Sequence, residues 1–132
     1  MKFYIAYKYS NNKDKDNLKH KLERISHKLI GWNHETFVLG RDIKKWRHIH
    51  FGSVKLIPVI FKNMRGCDVL FAYVDSPNFS KGLFFEVVIS KLLGKKSILV
   101  LEGNLKSKFF KHLFNKTDRV EGIDKITQEH IS

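Results

Sequence analysis

The chain has 132 residues, of which 42% are hydrophobic, enough for one core of ordinary size, so one domain spanning residues 1–132 is expected. No apolar run approaches the roughly 18 residues that cross a membrane, and the lone Cys67 excludes an internal disulfide, which points to a reducing, cytoplasmic setting without a membrane partner. Lys and Arg total 25 against 13 acidic residues, a net charge of +12; that balance attracts polyanions and phosphorylated molecules, although the basic residues are spread along the chain.

Lys2 to Tyr9 is an apolar, aromatic run that fits a first strand, too short in its apolar part for a signal peptide. After the polar turn Ser10-Asn11-Asn12, a helix begins at Asp14 or Asp16, with Leu18, Leu22, Ile25 and Leu29 at helical spacing, and Gly31 stops it. Thr36-Phe37-Val38-Leu39 reads as strand two. Arg41 to Phe51 is polar and basic, a long loop or short irregular helix over the sheet edge. Ser53 caps a helix with Val54, Ile57, Phe61 and Met64 on its apolar side, and Pro58 should kink it or delay its start. Asp68 to Val74 is strand three, apolar on both faces. Leu83 to Leu93 is a helix closed by Gly94, and Ser97 to Leu101 is strand four. Leu105 to Phe114 reads as a helix, Arg119-Val120-Glu121 as a short edge strand and Ile123 to Ile131 as a final helix. This alternation implies an α/β fold with a four- to five-stranded parallel sheet covered on both sides. The loops Tyr7–Asn12, Gly40–Asp42, Asp75–Gly82 and Glu102–Asn104 then gather at the carboxyl edge, where such sheets bind ligands.

The third of these loops is the most informative. The strand Asp68-Val-Leu-Phe-Ala-Tyr-Val-Asp75 ends at an aspartate, Ser76 to Gly82 form a tight polar loop, and Glu86 stands among Leu83, Phe84, Phe85, Val87, Val88 and Ile89. A carboxylate in such company is costly to desolvate unless paired or used. The helix dipole favours its ionised form and the apolar neighbours oppose it. Ser80 and Glu86 lie too far apart for a capping box, which leaves a nucleophilic carboxylate or a buried ion pair with a lysine. Gly82 allows close backbone approach, Ser80 with the amides of residues 81–83 makes an anion cradle at the helix start, and Lys81 is either an added point charge or a solvated side chain. Tyr4 either packs in the core or points its hydroxyl at the carboxylate; Trp46 either stacks on a base or covers the sheet edge. His48 and His50 alternate on an extended segment, but no Cys or carboxylate completes a ligand set, so no metal and no cofactor is expected.

Taken together, Phe3-Tyr4-Ile5-Ala6, the Asp68–Asp75 strand, Ser80-x-Gly82-x3-Glu86 and Gly94-Lys95-Lys96-Ser97-Ile98-Leu99-Val100 resemble the nucleoside 2-deoxyribosyltransferase-like superfamily, which includes deoxyribosyltransferases and deoxynucleoside 5′-monophosphate N-glycosidases. The resemblance runs from Lys2 to about Leu101. It implies a flavodoxin-like three-layer sandwich and an enzyme that cleaves or transfers the N-glycosidic bond of a nucleoside or its 5′-monophosphate. Glu86 would attack the anomeric carbon to give a covalent glycosyl intermediate, with Tyr4 positioning it. Serine at position 80, where transferases carry aspartate, tilts this towards a phosphorylated substrate. Ser80, Lys81 and Gly82, with Ala6, would contact sugar and phosphate. Arg41, Asp42 and Trp46 are further candidate substrate contacts, Asp75 or Asp42 is the candidate acid for the leaving base, and a homo-oligomer is implied in which Asn104 or Ser107 completes a neighbouring site. Phe84, Tyr7 and Ile60 replace a glycine, a glycine and an aspartate of the family pattern.

Two other readings stand beside this one. A nucleotide-binding or signalling module can use the same fold without turnover. A nucleic-acid-binding protein, less favoured, would present a contiguous basic face, with Arg41, Lys44, Lys45, Arg47 and Lys55 the best patch.

Overall fold

The structure, a computed structural model, describes residues 1–7, 15–38, 57–74, 81–103 and 113–131; of residues 15–18, 81 and 82 only the backbone is described. The strands are β1 (Lys2–Tyr7), β2 (Glu35–Val38), β3 (Val69–Val74), β4 (Lys96–Glu102) and β5 (Lys116–Val120). Among them run the helices α1 (Lys15–Gly31), α2 (Ile57–Arg65) and α3 (Lys81–Leu92), and after β5 come a 3-10 turn (Ile123–Lys125) and the short α4 (Gln128–Ile131). The five strands form one sheet in the order β2-β1-β3-β4-β5, every neighbouring pair parallel. This is the flavodoxin-like order, and with helices on both faces it gives the expected three layers.

β3 is buried along its whole length and β4 everywhere but its two ends, as strands covered on both faces must be. The amino ends of β1 and β3 are pinned by Asp68: its Oδ2 accepts from the Lys2 N–H at 2.8 Å, and its own N–H donates to the Lys2 carbonyl at 2.8 Å. Asp68 therefore fixes strand register at the amino edge of the sheet. α1 buries Leu22, Ile25 and Leu29 and lies on the side of the 3-10 turn. There Arg24 pairs with Asp124, and Lys28 Nζ donates to the Asp124 and Ile126 carbonyls at 3.1 and 3.0 Å. α2 and α3 pack together, and α3 lies against β1, β3 and β4.

Several boundaries differ from the sequence reading. α1 includes Gly31, and the left-handed residue after it is Asn33 (φ 68°). Pro58 sits in the first turn of α2, where its missing N–H costs no intrahelical bond. The edge strand is longer than expected, running Lys116–Val120, because Asn115 ties it to β4: its side-chain carbonyl accepts from the Ser97 N–H at 2.8 Å and from the Ser97 hydroxyl at 3.1 Å. The final helix is broken into the 3-10 turn and α4, since Ile126 adopts an extended conformation (φ −71°, ψ 127°). The expected helix Leu105–Phe114 lies mostly outside the described residues; Leu113 and Phe114 are not helical.

α3 ends on Gly94 at φ 68°, with the Lys95 N–H donating to the Ser90 carbonyl at 2.9 Å, a left-handed cap. A Cβ on Gly94 would meet nothing within 4 Å, so its substitution isolates backbone strain. Gly94→Ala is expected to cost about 1 kcal/mol in urea denaturation, whereas Gly31→Ala, equally free of contacts and without the left-handed backbone, should be neutral or stabilising.

Candidate active site

The inner stripe of α3 is Leu83, Glu86, Val87 and Ser90, spaced as one helix face and 1%, 5%, 0% and 0% exposed. The same periodicity that packs α3 onto the sheet thus drives a carboxylic acid into the interface. Ser90 is satisfied locally, its hydroxyl donating to the Val87 carbonyl at 2.7 Å. Glu86 has no such partner on its own helix, and among the described residues no lysine or arginine pairs with it. The buried ion pair weighed from the sequence is not formed there.

What faces Glu86 is Tyr4. Alternation along β1, carried across by the pairs Tyr4↔Leu70 and Ala6↔Ala72, puts Tyr4, Ala6, Leu70 and Ala72 on one side of the sheet, the α3 side. Tyr4 is fully buried, its ring 5.0 Å from that of Phe37 between centroids. Its hydroxyl and the Glu86 carboxyl lie close enough to act on each other's protons, yet Tyr4 Oη closes no hydrogen bond of regular length and angle. The paired alanines, Ala6 and Ala72, place two small side chains in the next row, where bulkier ones would hold a helix further from the sheet.

Burial decides the protonation of both groups. It pushes Glu86 up to about 8, while the Tyr4 contact pulls the other way. The helix dipole does not prevent this: loss of hydration outweighs it. Burial, followed by the charge and contact of Glu86, holds the Tyr4 phenol well above its ordinary range.

Other candidates are distributed as follows. Lys81 and Gly82 form the first turn of α3. Ala6 is buried on β1. Asp75, Ser80, Arg41, Asp42, Trp46 and Asn104 lie outside the described residues, as do Ser107, His48, His50 and the patch of Lys44, Lys45, Arg47 and Lys55. Phe84 is 38% exposed, its ring 6.3 Å from that of Phe85 between centroids. Tyr7 belongs to the α1 side of the sheet by alternation, and Ile60 is a core residue of α2.

Sequence reasoning missed Ala72 and a polar group on the α1 side. Tyr73, at the end of β3, donates its hydroxyl to Glu102 Oε2 at 2.9 Å, and Lys21 of α1 lies 3.8 Å from the same oxygen. The available signal was a charged residue closing an otherwise apolar strand. Two cavities among the described residues lie elsewhere: one of about 330 Å³ at the amino edge beside Phe3, His34 and Lys96, and an open one of about 520 Å³ along Pro58, Phe61 and Arg65 of α2.

Among solved structures the chain is similar to the CMP N-glycosidase BcmB of Clostridium botulinum, at 15% identity over 94% of this chain and 92% of that one, with a TM-score of 0.65. It is similar to a 2-deoxyribosyltransferase of Bacillus psychrosaccharolyticus (22% identity, 94% and 88% covered, TM-score 0.61) and to a conserved protein of Enterococcus faecalis V583 (14% identity, 94% and 92% covered, TM-score 0.60). No family model and no curated protein matches the sequence. The likeness extends over nearly the whole chain and is one of fold: the fold implied by the sequence resemblance is the fold observed.

The Glu86 environment predicts a pH-dependent stability. Folded Glu86 keeps its proton up to about 8, whereas the unfolded side chain releases it near 4.5. Folding therefore takes up a proton between those limits, so this contribution is complete below pH 4.5 and lost as pH rises to 8. Denaturation across that range should show Glu86→Gln gaining on the wild type by up to about 1.4 kcal/mol per pH unit. Parallel curves would contradict the assigned burial.

Proposed function

We propose that the protein is an N-glycosidic enzyme acting on a nucleoside or nucleoside 5′-monophosphate, with Glu86 as its nucleophile. The observation that carries this reading is a carboxylic acid held on the inner face of α3, 5% exposed, against a buried tyrosine and, among the described residues, without a cation. The fold, shared with a CMP N-glycosidase and a 2-deoxyribosyltransferase, supports the same class.

In the proposed reaction a Glu86 carboxylate oxygen bonds to the anomeric carbon as the bond from that carbon to the base nitrogen breaks. The base leaves with the electron pair and takes a proton from Asp75, one residue past β3. Water, or a second base, then displaces Glu86, passing its proton back to Asp75, and restores the carboxylate. The developing positive charge on the sugar rewards an ionised, poorly hydrated carboxylate more than the neutral ground state does, which sets burial to work on the transition state. Tyr4 holds the carboxylate in line. The amides of residues 81–83, Ser80, Lys81 and Gly82 receive the sugar and the 5′-phosphate, and the net charge of +12 favours an anionic substrate. Ala6 lies below the sugar, and Arg41, Asp42 and Trp46 border the base. A homo-oligomer in which Asn104 of a neighbouring copy reaches the site belongs to the same proposal.

Chromatography of free base after incubation with deoxy- and ribonucleotides tests it. Wild type should release base, with kcat/KM rising tenfold per pH unit towards a limit near 8, the value to which burial raises Glu86. Glu86→Gln should fall at least about a thousandfold, and Tyr4→Phe about a hundredfold, both remaining folded. A nucleotide that raises the melting temperature with no base released supports a binding module instead, and steeply salt-dependent affinity for DNA or RNA supports a nucleic-acid-binding protein.

A further inference from the structure

The strand order places a topological switch point between β1 and β3: β1 leads outward to β2, and β3 leads outward the other way to β4. The strands present two faces at their carboxyl ends, where a switch point favours a ligand crevice. One is the α3 side, with Glu86 and Tyr4. The other is the α1 side, where Tyr7 and Tyr73 are register partners at the strand ends and Tyr73 carries Glu102 on its hydroxyl at 2.9 Å.

Glu102 is firmly held. The next residue, Gly103, takes a left-handed conformation at φ 64°. Its N–H donates to the Val120 carbonyl at 2.7 Å, and its own carbonyl accepts from Arg119 Nη1 at 3.3 Å. The Tyr73 hydroxyl and the Lys21 ammonium both address Oε2, and among the described residues no donor meets Oε1. The side chain is 33% exposed, so a carboxylate oxygen with fixed orientation stands at the carboxyl edge with open acceptor capacity.

We propose that Glu102 is a specificity-determining residue that accepts a hydrogen bond from the exocyclic amino group of the departing base, so that the site selects amino-bearing bases such as cytosine and adenine over their carbonyl counterparts. This rests on the proposed role of Glu86. In displacement at an anomeric carbon, nucleophile and leaving group occupy opposite sides of that carbon. With Glu86 on the α3 face, the base lies towards the α1 face, where Glu102 stands. A phosphate is disfavoured beside a carboxylate and belongs at the other end of the substrate, near the start of α3. A carboxylate acceptor matches an N–H donor and leaves a carbonyl of the wrong base facing negative charge, a mismatch that discriminates strongly.

The test compares cytidine with uridine 5′-monophosphate, and adenosine with inosine 5′-monophosphate, in two measurements. The first is kcat/KM for base release. The second is affinity by calorimetry in Glu86→Gln, which reads base preference without turnover. Wild type should favour the amino base by about 10- to 100-fold in kcat/KM, and Glu86→Gln should show the same order of preference in affinity. Glu102→Gln, whose amide serves as donor or acceptor and still accepts from Tyr73, should bring both ratios to within about threefold. Tyr73→Phe should lower the preference with Glu102 still present. An amino preference that is unchanged in Glu102→Gln, or absent from wild type, overturns the inference while leaving Glu86 as nucleophile. Preferential binding that depends on Glu102 with no base released overturns the proposed reaction and keeps the base contact. Failure of all four nucleotides to bind overturns both.

Discussion

The arrangement depends on one desolvated carboxyl group. α3 can cover the α3 side of the sheet only by turning Leu83, Glu86, Val87 and Ser90 inward together, and three of these four are well suited to burial as they stand. Glu86 is not: loss of hydration is the largest influence on its proton and raises its affinity to about 8. Where many buried acids are compensated by a cation, this one meets, among the described residues, a tyrosine hydroxyl that is itself fully buried. The site therefore stores its acid largely as the neutral form near neutral pH, and the conditions that ionise it are those that weaken the fold. Such opposition is characteristic of residues kept for chemistry and tolerated by the surrounding structure.

The sheet supplies the rest of the geometry. Because neighbouring parallel strands in register point their side chains the same way, one alternation sorts the sheet into two faces: Tyr4, Ala6, Leu70 and Ala72 with α3, and Tyr7, Tyr73 and Glu102 with α1. Each face thus carries one carboxyl group, Glu86 buried on one side and Glu102 anchored and a third exposed on the other. Register at the opposite edge is fixed by Asp68 and Asn115, so the polar residues at the amino ends of the strands build the sheet.

Much of this was legible in the sequence because the signals were of period and run length. The doubly apolar strands around Leu70 and Leu99 could only be central parallel strands, and α3 followed from its cap and its length. Glu86 stood out because a charge among six apolar residues has few explanations. The interruption of the C-terminal helix was not legible, since Ile126 looks helical by composition and its extended conformation is set by tertiary contacts, including the Lys28 ammonium on its carbonyl. Ala72 and Glu102 were not legible as candidates because their placement comes from cross-strand register, Ala72 with Ala6 and Glu102 beside Tyr73, which no local pattern reports. The protonation of Glu86 was also missed: the sequence shows the helix dipole and the apolar neighbours, but their relative strength depends on how completely α3 is covered.

The central claim, a carboxyl group poised by burial and steadied by Tyr4, is read most directly by carbon-13 NMR titration of the Glu86 side chain. The structure predicts a midpoint near 8, moving higher in Tyr4→Phe because the tyrosine contact favours the charged form. A midpoint in the ordinary glutamate range of about 4 to 5, indifferent to the loss of the Tyr4 hydroxyl, would contradict it.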